Sequence, residues 1–244
     1  MRRPASRARS AIFAPIGDEG RAVRVENRLA EAIRSGILAD GERLPSEPEL
    51  AAMLGVATVT AREALVALRE QGLVTTTRGR GGGSFVTRPV PSDPGELGQR
   101  LAVMSRVELR DRGTLYSVIL AGCAELAAER ADATDVAGLR LLLVPADDPD
   151  IGRWRHADAE LCLSVAALTQ SARMTREVVR LEADFGAVLR MPLADADFRA
   201  LTCARHEALV DAIERGDADT ARSCVKEHLG DAVERLADLH ASMR

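Results

Sequence analysis

Aromatic side chains are scarce: they make up 2% of the 244 residues, with one Trp, one Tyr and four Phe. Any core must then be filled by Leu, Val and Ala, a set that suits helices packed on helices. Lysine is nearly missing too. Lys226 is the one lysine among 33 basic residues, a bias that fits the base composition of the gene. The four cysteines are scattered with no Cys-x-x-Cys pair. That excludes a disulfide framework and points to a reducing, cytoplasmic setting. No apolar run approaches the roughly 20 residues of a membrane-spanning helix. The opening stretch MRRPASRARSAIFAPIG has a basic start, but its apolar part is too short and Pro-broken for a signal peptide. Residues 1–19 read as a disordered arm whose four arginines can touch DNA without specificity.

Apolar residues account for 46% of the chain, enough for real cores in one large or two small domains. The net charge of −4 hides an asymmetry. Residues 1–90 carry 14 arginines against 10 carboxylates, a charge of +4, and the remainder carries 19 basic against 27 acidic residues, a charge of −8. A basic head on an acidic body fits a head that meets phosphate.

The densest local signal lies between Leu44 and Leu73. Ser46 followed by Glu49 is a capping box, and Pro48 falls in the first turn, where its missing N–H costs little. Leu50, Ala51 and Leu54 give the first helix an apolar side, and Gly55 stops it. A second helix is predicted over 58–70, with Ala61, Ala64, Leu65 and Leu68 inward and Thr58, Thr60, Arg62 and Arg69 outward. In a helix-turn-helix the first half of that second helix meets base edges. A helix over 20–36 precedes the pair, burying Ala22, Val25, Leu29, Ala32 and Ile33, and 37–44 reads as a connector turning at Gly41. Strands are predicted over 73–77 and 84–87. The loop between them, with Arg78, Arg80 and Gly81, can bring backbone and two cations against DNA.

The Pro-rich PVPSDPG, residues 89–95, continues neither element and reads as a linker. Everything after it is helical in pattern: 96–105, 108–130, 134–143, 149–169, 172–190, 195–215 and 217–240. Gly216 marks a tight turn between the last two helices. His206 precedes it by 10 residues and His228 follows it by 12, so in an antiparallel pair the two imidazoles reach similar heights. His206 shares a stripe with Leu209, Val210 and Ile213, His228 with Ala221, Val225 and Ala232, and Asp158 with Leu161, Cys162 and Val165. Asp158 and Cys162, four apart, share a helix face. Asp158, Cys162, His206 and His228 form an acceptable zinc set; a plain hydrogen-bonded network is the other reading. Cys203 and Cys224 read as small core fillers, with substitute ligands or redox thiols as alternatives. Trp154 beside Arg153, Arg155 and His156 reads as a pocket rim or a partly exposed packing residue.

The tokens Gly36-Ile37-Leu38, Gly41, Arg43-Leu44-Pro45-Ser46-Glu47, Glu49-Leu50-Ala51, Arg62-Glu63-Ala64-Leu65 and Gly72-Leu73-Val74 resemble the winged-helix head of GntR-type bacterial transcription regulators. In that family Arg43 and Arg62 fall on DNA-contact positions, while Ala57-Thr58 stands where Ser-Arg is usual. The run Ala124 to Arg130, then Asp158, His206-Glu207, Gly216-Asp217 and His228-Leu229 resembles the FCD ligand-binding domain of the FadR subfamily. There an Asp and three His commonly hold a metal that helps bind a small carboxylate. Asp158, His206 and His228 match, and Cys162 replaces the fourth ligand. The family's Arg and Glu of the earlier helix are replaced by Ser117 (or Tyr116) and Leu120.

The resemblance implies an α+β winged-helix head followed by an all-α helical-bundle domain, with head 20–88, linker 89–95 and effector-binding and dimerisation domain 96–244. Together with the reading of the residues it gives a DNA-facing set of Arg43, Ser46, Thr58, Thr60, Arg62, Arg78, Arg80 and Gly81. It further implies a divalent metal, zinc first, a small carboxylate effector, and a homodimer acting as a repressor on a palindromic DNA operator. Two other functions compete. A zinc-dependent hydrolase with a DNA-binding head needs a base beside an open metal position, and Glu207 points about 100° away around its helix. A nucleoid protein would bind with little sequence preference.

Overall fold

The computed structural model describes residues 12–13, 21–35, 37–38, 40–77, 79, 82–87 and 94–243. The chain divides into two units, Met1–Pro91 and Ser92–Arg244.

In the first unit, α1 (Arg21–Ser35) buries Val25, Leu29, Ala32 and Ile33 and packs on α3. Helix α2 (Glu47–Leu54) starts at a complete capping box: the Ser46 hydroxyl accepts from the Glu49 N–H, and the Glu49 carboxylate accepts from the Ser46 N–H at 2.9 Å. It ends at Gly55, whose φ of +67° is a left-handed cap that glycine adopts without steric cost. Helix α3 (Thr58–Glu70) buries Ala61, Ala64, Leu65 and Leu68. The chain bends by 111° between α2 and α3, within the range of a helix-turn-helix. Strands β1 (Val74–Thr77) and β2 (Gly83–Val86) form an antiparallel hairpin pairing Val74 with Val86 and Thr77 with Gly83. The stretch expected to be a simple connector does more. Arg43 bridges Phe85, the Leu44 N–H donates to the Ser84 carbonyl, and the Val86 N–H donates to the Glu42 carbonyl, so 42–44 runs along the outer side of β2. The linker residues 89–93, the arm apart from Ile12 and Phe13, and Gly36 lie outside the described residues.

The second unit contains α4 (Pro94–Val103), α5 (Arg106–Arg130), α6 (Ala133–Arg140), α7 (Ile151–Leu168), α8 (Ala172–Leu181), α9 (Ala187–Leu189), α10 (Ala196–Glu214) and α11 (Ala218–Ser242). Among the described residues it has no strand. The two longest helices, α5 and α11, pack antiparallel and very closely. A Cβ at Gly113 would lie 2.4 Å from Val233 Cγ2, so only glycine permits this crossing. Gly216, at φ +68°, turns α10 back into α11. Helix α7 lies against α5 and carries Trp154 inward at 1% exposure, its Nε1–H donating to the Asp148 carbonyl at 3.0 Å. The indole is therefore core, which corrects the rim and part-exposed readings. The helix expected across 172–190 is interrupted: a π-turn, Glu182–Gly186, separates α8 from α9, and a 3₁₀ turn, Met191–Ala194, follows Arg190.

Candidate functional sites

The first candidate surface is the exposed half-turn that opens α3. Thr58 and Arg62 are exposed and Thr60 half-buried. Ala57 precedes the helix without a side-chain cap, so the first amides of α3 keep unmet donors at the positive end of the helix dipole. Val59, 58% exposed beside them, was not among the residues taken from the sequence pattern. An apolar side chain at this second helical position can meet a thymine methyl. The Arg62 Nε–H donates to Glu47 at 2.8 Å in an exposed pair, so the guanidinium is held near this surface by a contact that is cheap to exchange. Ser46 spends its hydroxyl on the capping box. Arg43 turns toward the hairpin, where its Nη2–H donates to the Gly82 carbonyl at 2.7 Å. A Cβ at Gly83 would meet its Nε at 2.8 Å, so glycine there makes room for the guanidinium. Arg78, Arg80 and Gly81 lie outside the described residues.

The second candidate is buried in the helical unit. Asp158 on α7, His206 on α10 and His228 on α11 converge from three helices. Each Nε2 lies 3.1 Å from the same Asp158 oxygen, Oδ1. An ionised carboxylate only accepts, so each imidazole donates its Nε2–H. The two rings meet edge to face at 5.0 Å, and Phe198 stacks on His228. One donor atom from each of the three residues lies within 4.8 Å of the others, close enough to share an ion. Cys162 is not in this group, so the four-residue set expected from the pattern narrows to three. The Cys162 thiol is pushed up to about 12 by burial and by the Asp158 charge, against a smaller opposing pull from Arg190. It is a neutral thiol here, not a thiolate. Cys203 and Cys224 are outside the group as well.

Sequence reasoning missed two members of this cluster. Arg190 donates from Nε to Asp158 Oδ2 at 2.5 Å and, through Nη1 and Nη2, to both oxygens of Glu182 at 2.7 and 2.6 Å. Arg190 and Glu182 are both buried. Burial would raise the Asp158 carboxyl, but the Arg190 guanidinium and the two imidazoles outweigh it and hold the group well below the usual carboxylate range. Burial lowers Arg190, yet the Glu182 and Asp158 charges prevail and drive it well above its ordinary value. Burial depresses His206 despite its contact with Asp158, so this imidazole stays neutral.

These donors fit a divalent metal. One carboxylate oxygen and two imidazole nitrogens, on rigid helices, leave a coordination position open. The cluster's charge agrees: Asp158 and Glu182 against Arg190 leave one negative charge over. Two small cavities flank the cluster, about 20 Å³ beside Leu120, Arg205 and His206 and about 10 Å³ beside Arg190 and Phe198. Cys162 and His228 line both and form the wall between them. Each holds about one water, so a larger ligand needs side chains to move.

Comparison with known proteins follows the same division. Residues 21–86 match the family described as bacterial regulatory proteins, gntR family, and residues 114–231 match the FCD domain. The chain is 34% identical over 234 residues to the "Putative HTH-type transcriptional regulator RmpR" of Mycobacterium gastri, covering 94% of this chain and 85% of that protein. It is 31% identical to the "Putative L-lactate dehydrogenase operon regulatory protein" of Escherichia coli (strain K12), covering 84% of each. Its fold resembles that of the E. coli McbR/YncC structure, with a TM-score of 0.52 at 20% identity over 93% of this chain and all of that one.

Proposed function

The chain belongs to the GntR family of bacterial transcription regulators and carries an FCD domain, and on that premise we propose that a buried metal and a small carboxylate together set its affinity for DNA. The observation that carries this reading is the convergence of Asp158, His206 and His228 on one point. When bound, a divalent metal supplies a Lewis-acidic position for a carboxylate oxygen. Asp158, His206 and His228 would hold it, and Arg190 keeps the Asp158 carboxylate ionised and oriented. Adding two positive charges to the leftover negative one makes the cluster cationic, which favours an anionic effector. Cys162 lies outside the three-residue donor set.

DNA recognition is assigned to Thr58, Val59, Thr60 and Arg62 for bases, and to Arg43, Ser46, Arg78, Arg80 and Gly81 for the backbone or minor groove. One small head offers few base contacts, so the working form is a homodimer on a palindromic operator, with repression as its output. The face between α5 and α11 supports a second copy. An open groove of about 610 Å³ lies there, with Val118 on its wall and Val107 and Leu115 exposed on the same helix. Arg106 and Arg110 edge it on α5, and Glu234 and Asp238 on α11. A two-fold axis along the groove sets each basic edge over an acidic one.

The test is metal content. Protein purified without a metal-affinity tag and dialysed against zinc should hold one equivalent, and His206→Ala should hold none. Small carboxylates should raise the thermal midpoint of the zinc-loaded form only. Native protein that retains no metal overturns the metal part and leaves DNA binding untouched.

A further inference from the structure

The π-turn Glu182–Gly186 faces two ways at once. Inward, Glu182 grips Arg190 with both oxygens, and Arg190 grips Asp158. Outward, the Asp184 carbonyl accepts from Arg100 Nη2 on α4 at 2.8 Å, and the Asp184 carboxylate accepts from Arg112 Nη1 on α5 at 2.6 Å. Helix α4 is the first helix of the second unit and the one through which the chain arrives from the DNA-binding unit. It buries Leu97 and Leu101 and packs against α9, just past the π-turn.

The π geometry is what makes the inner grip possible. In a regular α-helix, residues eight apart sit about 80° apart around the axis. A π-turn closes i to i+5 bonds and advances each residue by less, which brings Glu182 and Arg190 onto one face. Gly186 lies beneath the pair: a Cβ there would meet Glu182 Oε2 at 2.3 Å and Arg190 Nη1 at 2.6 Å. A π-turn is also an α-helix carrying one extra residue, so a return to α geometry would give the segment a second register. Slipping to it would turn Asp184 away from Arg100 while pulling Glu182 off Arg190. In such a slip the two contacts would be lost together.

We infer that this π-turn transmits the state of the Asp158 cluster to α4, with Glu182 and Arg190 as positioning residues and Asp184 as the outward contact. The inference rests on the Asp158 cluster being the effector site. A ligand that takes Asp158 Oδ1 changes the hold on Oδ2, hence on Arg190 and Glu182, hence the register of the turn. Packed elements of this kind switch between discrete arrangements and do not bend continuously.

The test is a mutant cycle read by amide hydrogen exchange in the full chain without metal, so it stands or falls independently of zinc binding. Asp158→Asn should speed exchange in 94–103 by about tenfold while leaving 218–242 near wild type. In an Arg100→Ala background the same change should add less than about twofold, and Arg100→Lys should restore the response. If Asp158→Asn does not fold, Glu182→Gln takes its place in the cycle. Unchanged exchange in 94–103, or an equal factor with and without Arg100, overturns the relay.

Discussion

Arg190→Met isolates the buried charge cluster. Methionine matches much of the arginine's length and leaves little cavity, so the change reports charge more than packing. Arg190 makes three charge-assisted hydrogen bonds, one to Asp158 and two to Glu182, with all three residues at 6% exposure or less. Each such bond contributes about 1.5–3 kcal/mol, but the three act as a unit and do not add. The better guide is the cost of removing one partner of a buried ion pair, about 3–5 kcal/mol. Here two carboxylates lose their cation, so the upper part of that range applies. Trp154, the sole tryptophan, is buried in the helical unit, so its fluorescence in a urea titration reports the unfolding of that unit alone.

The pH dependence sharpens the test. In the wild type Asp158 is held well below its ordinary value and His206 is depressed, so the unfolded chain binds more protons than the fold. Stability then rises with pH. The Asp158 part is complete above about pH 4 and is lost as pH falls through its folded value, and the His206 part is lost as pH falls below about 6.5. In Arg190→Met the buried Asp158 carboxylate loses the charge that most lowers it while burial still raises it, so its contribution to the deficit shrinks as pH falls. The deficit should be largest at about pH 7.5 and shrink by half or more by about pH 5. A loss under about 1 kcal/mol at pH 7.5, or a deficit that does not change with pH, would refute the charge argument.

The remaining expectations concern the surface and the ligands. Arg62→Ala should cost about 1–3 kcal/mol on an operator selected from random sequence and much less on bulk DNA; equal losses would remove Arg62 from base reading. Val118→Glu should turn a dimer into a monomer in light scattering. Arg110→Glu should weaken the dimer and Asp238→Arg in the same chain should restore it; a dimer indifferent to all three lies on another face. Cys162→Ser should keep its zinc where His206→Ala loses it, and zinc lost from Cys162→Ser would bring the thiolate back as a ligand.

The head was legible because its signals are local. Ser46 and Glu49 are three residues apart, Gly55 needs one backbone angle, and Ala61, Ala64, Leu65 and Leu68 need only helical period to face inward together. The pairing of 42–44 with β2 was not legible. Glu42, Arg43 and Leu44 show no alternation worth reading, and their partners lie some 40 residues on, at Ser84 to Val86. In the helical unit, the turn at Gly216 put His206 and His228 at one height, and a symmetric count of residues was enough to see it. Glu182 and Arg190 escaped for the opposite reason. Eight is not a helical repeat, and only the π-turn makes it one.

Cys162 shows where residue type alone misleads. Spacing puts it on the face of Asp158, and cysteine in a zinc-like set suggests a thiolate. A thiolate would add a second negative charge to the one left over, and a divalent metal would then bring the cluster only to neutrality, with no pull on an anion. The structure turns this on the positions of two other charges. Arg190 could have stabilised a thiolate, but its positive charge is already committed to Glu182 and Asp158. Asp158 itself repels a second anion beside it, and burial opposes one further. Without a metal the thiol therefore stays protonated, and it lines both small cavities. If the cluster takes a metal and a carboxylate, as proposed, the carboxylate would reach it past this small side chain. On that reading Cys162 would help set how far the two cavities can open, with the attraction left to the metal and to Arg190's hold on Asp158.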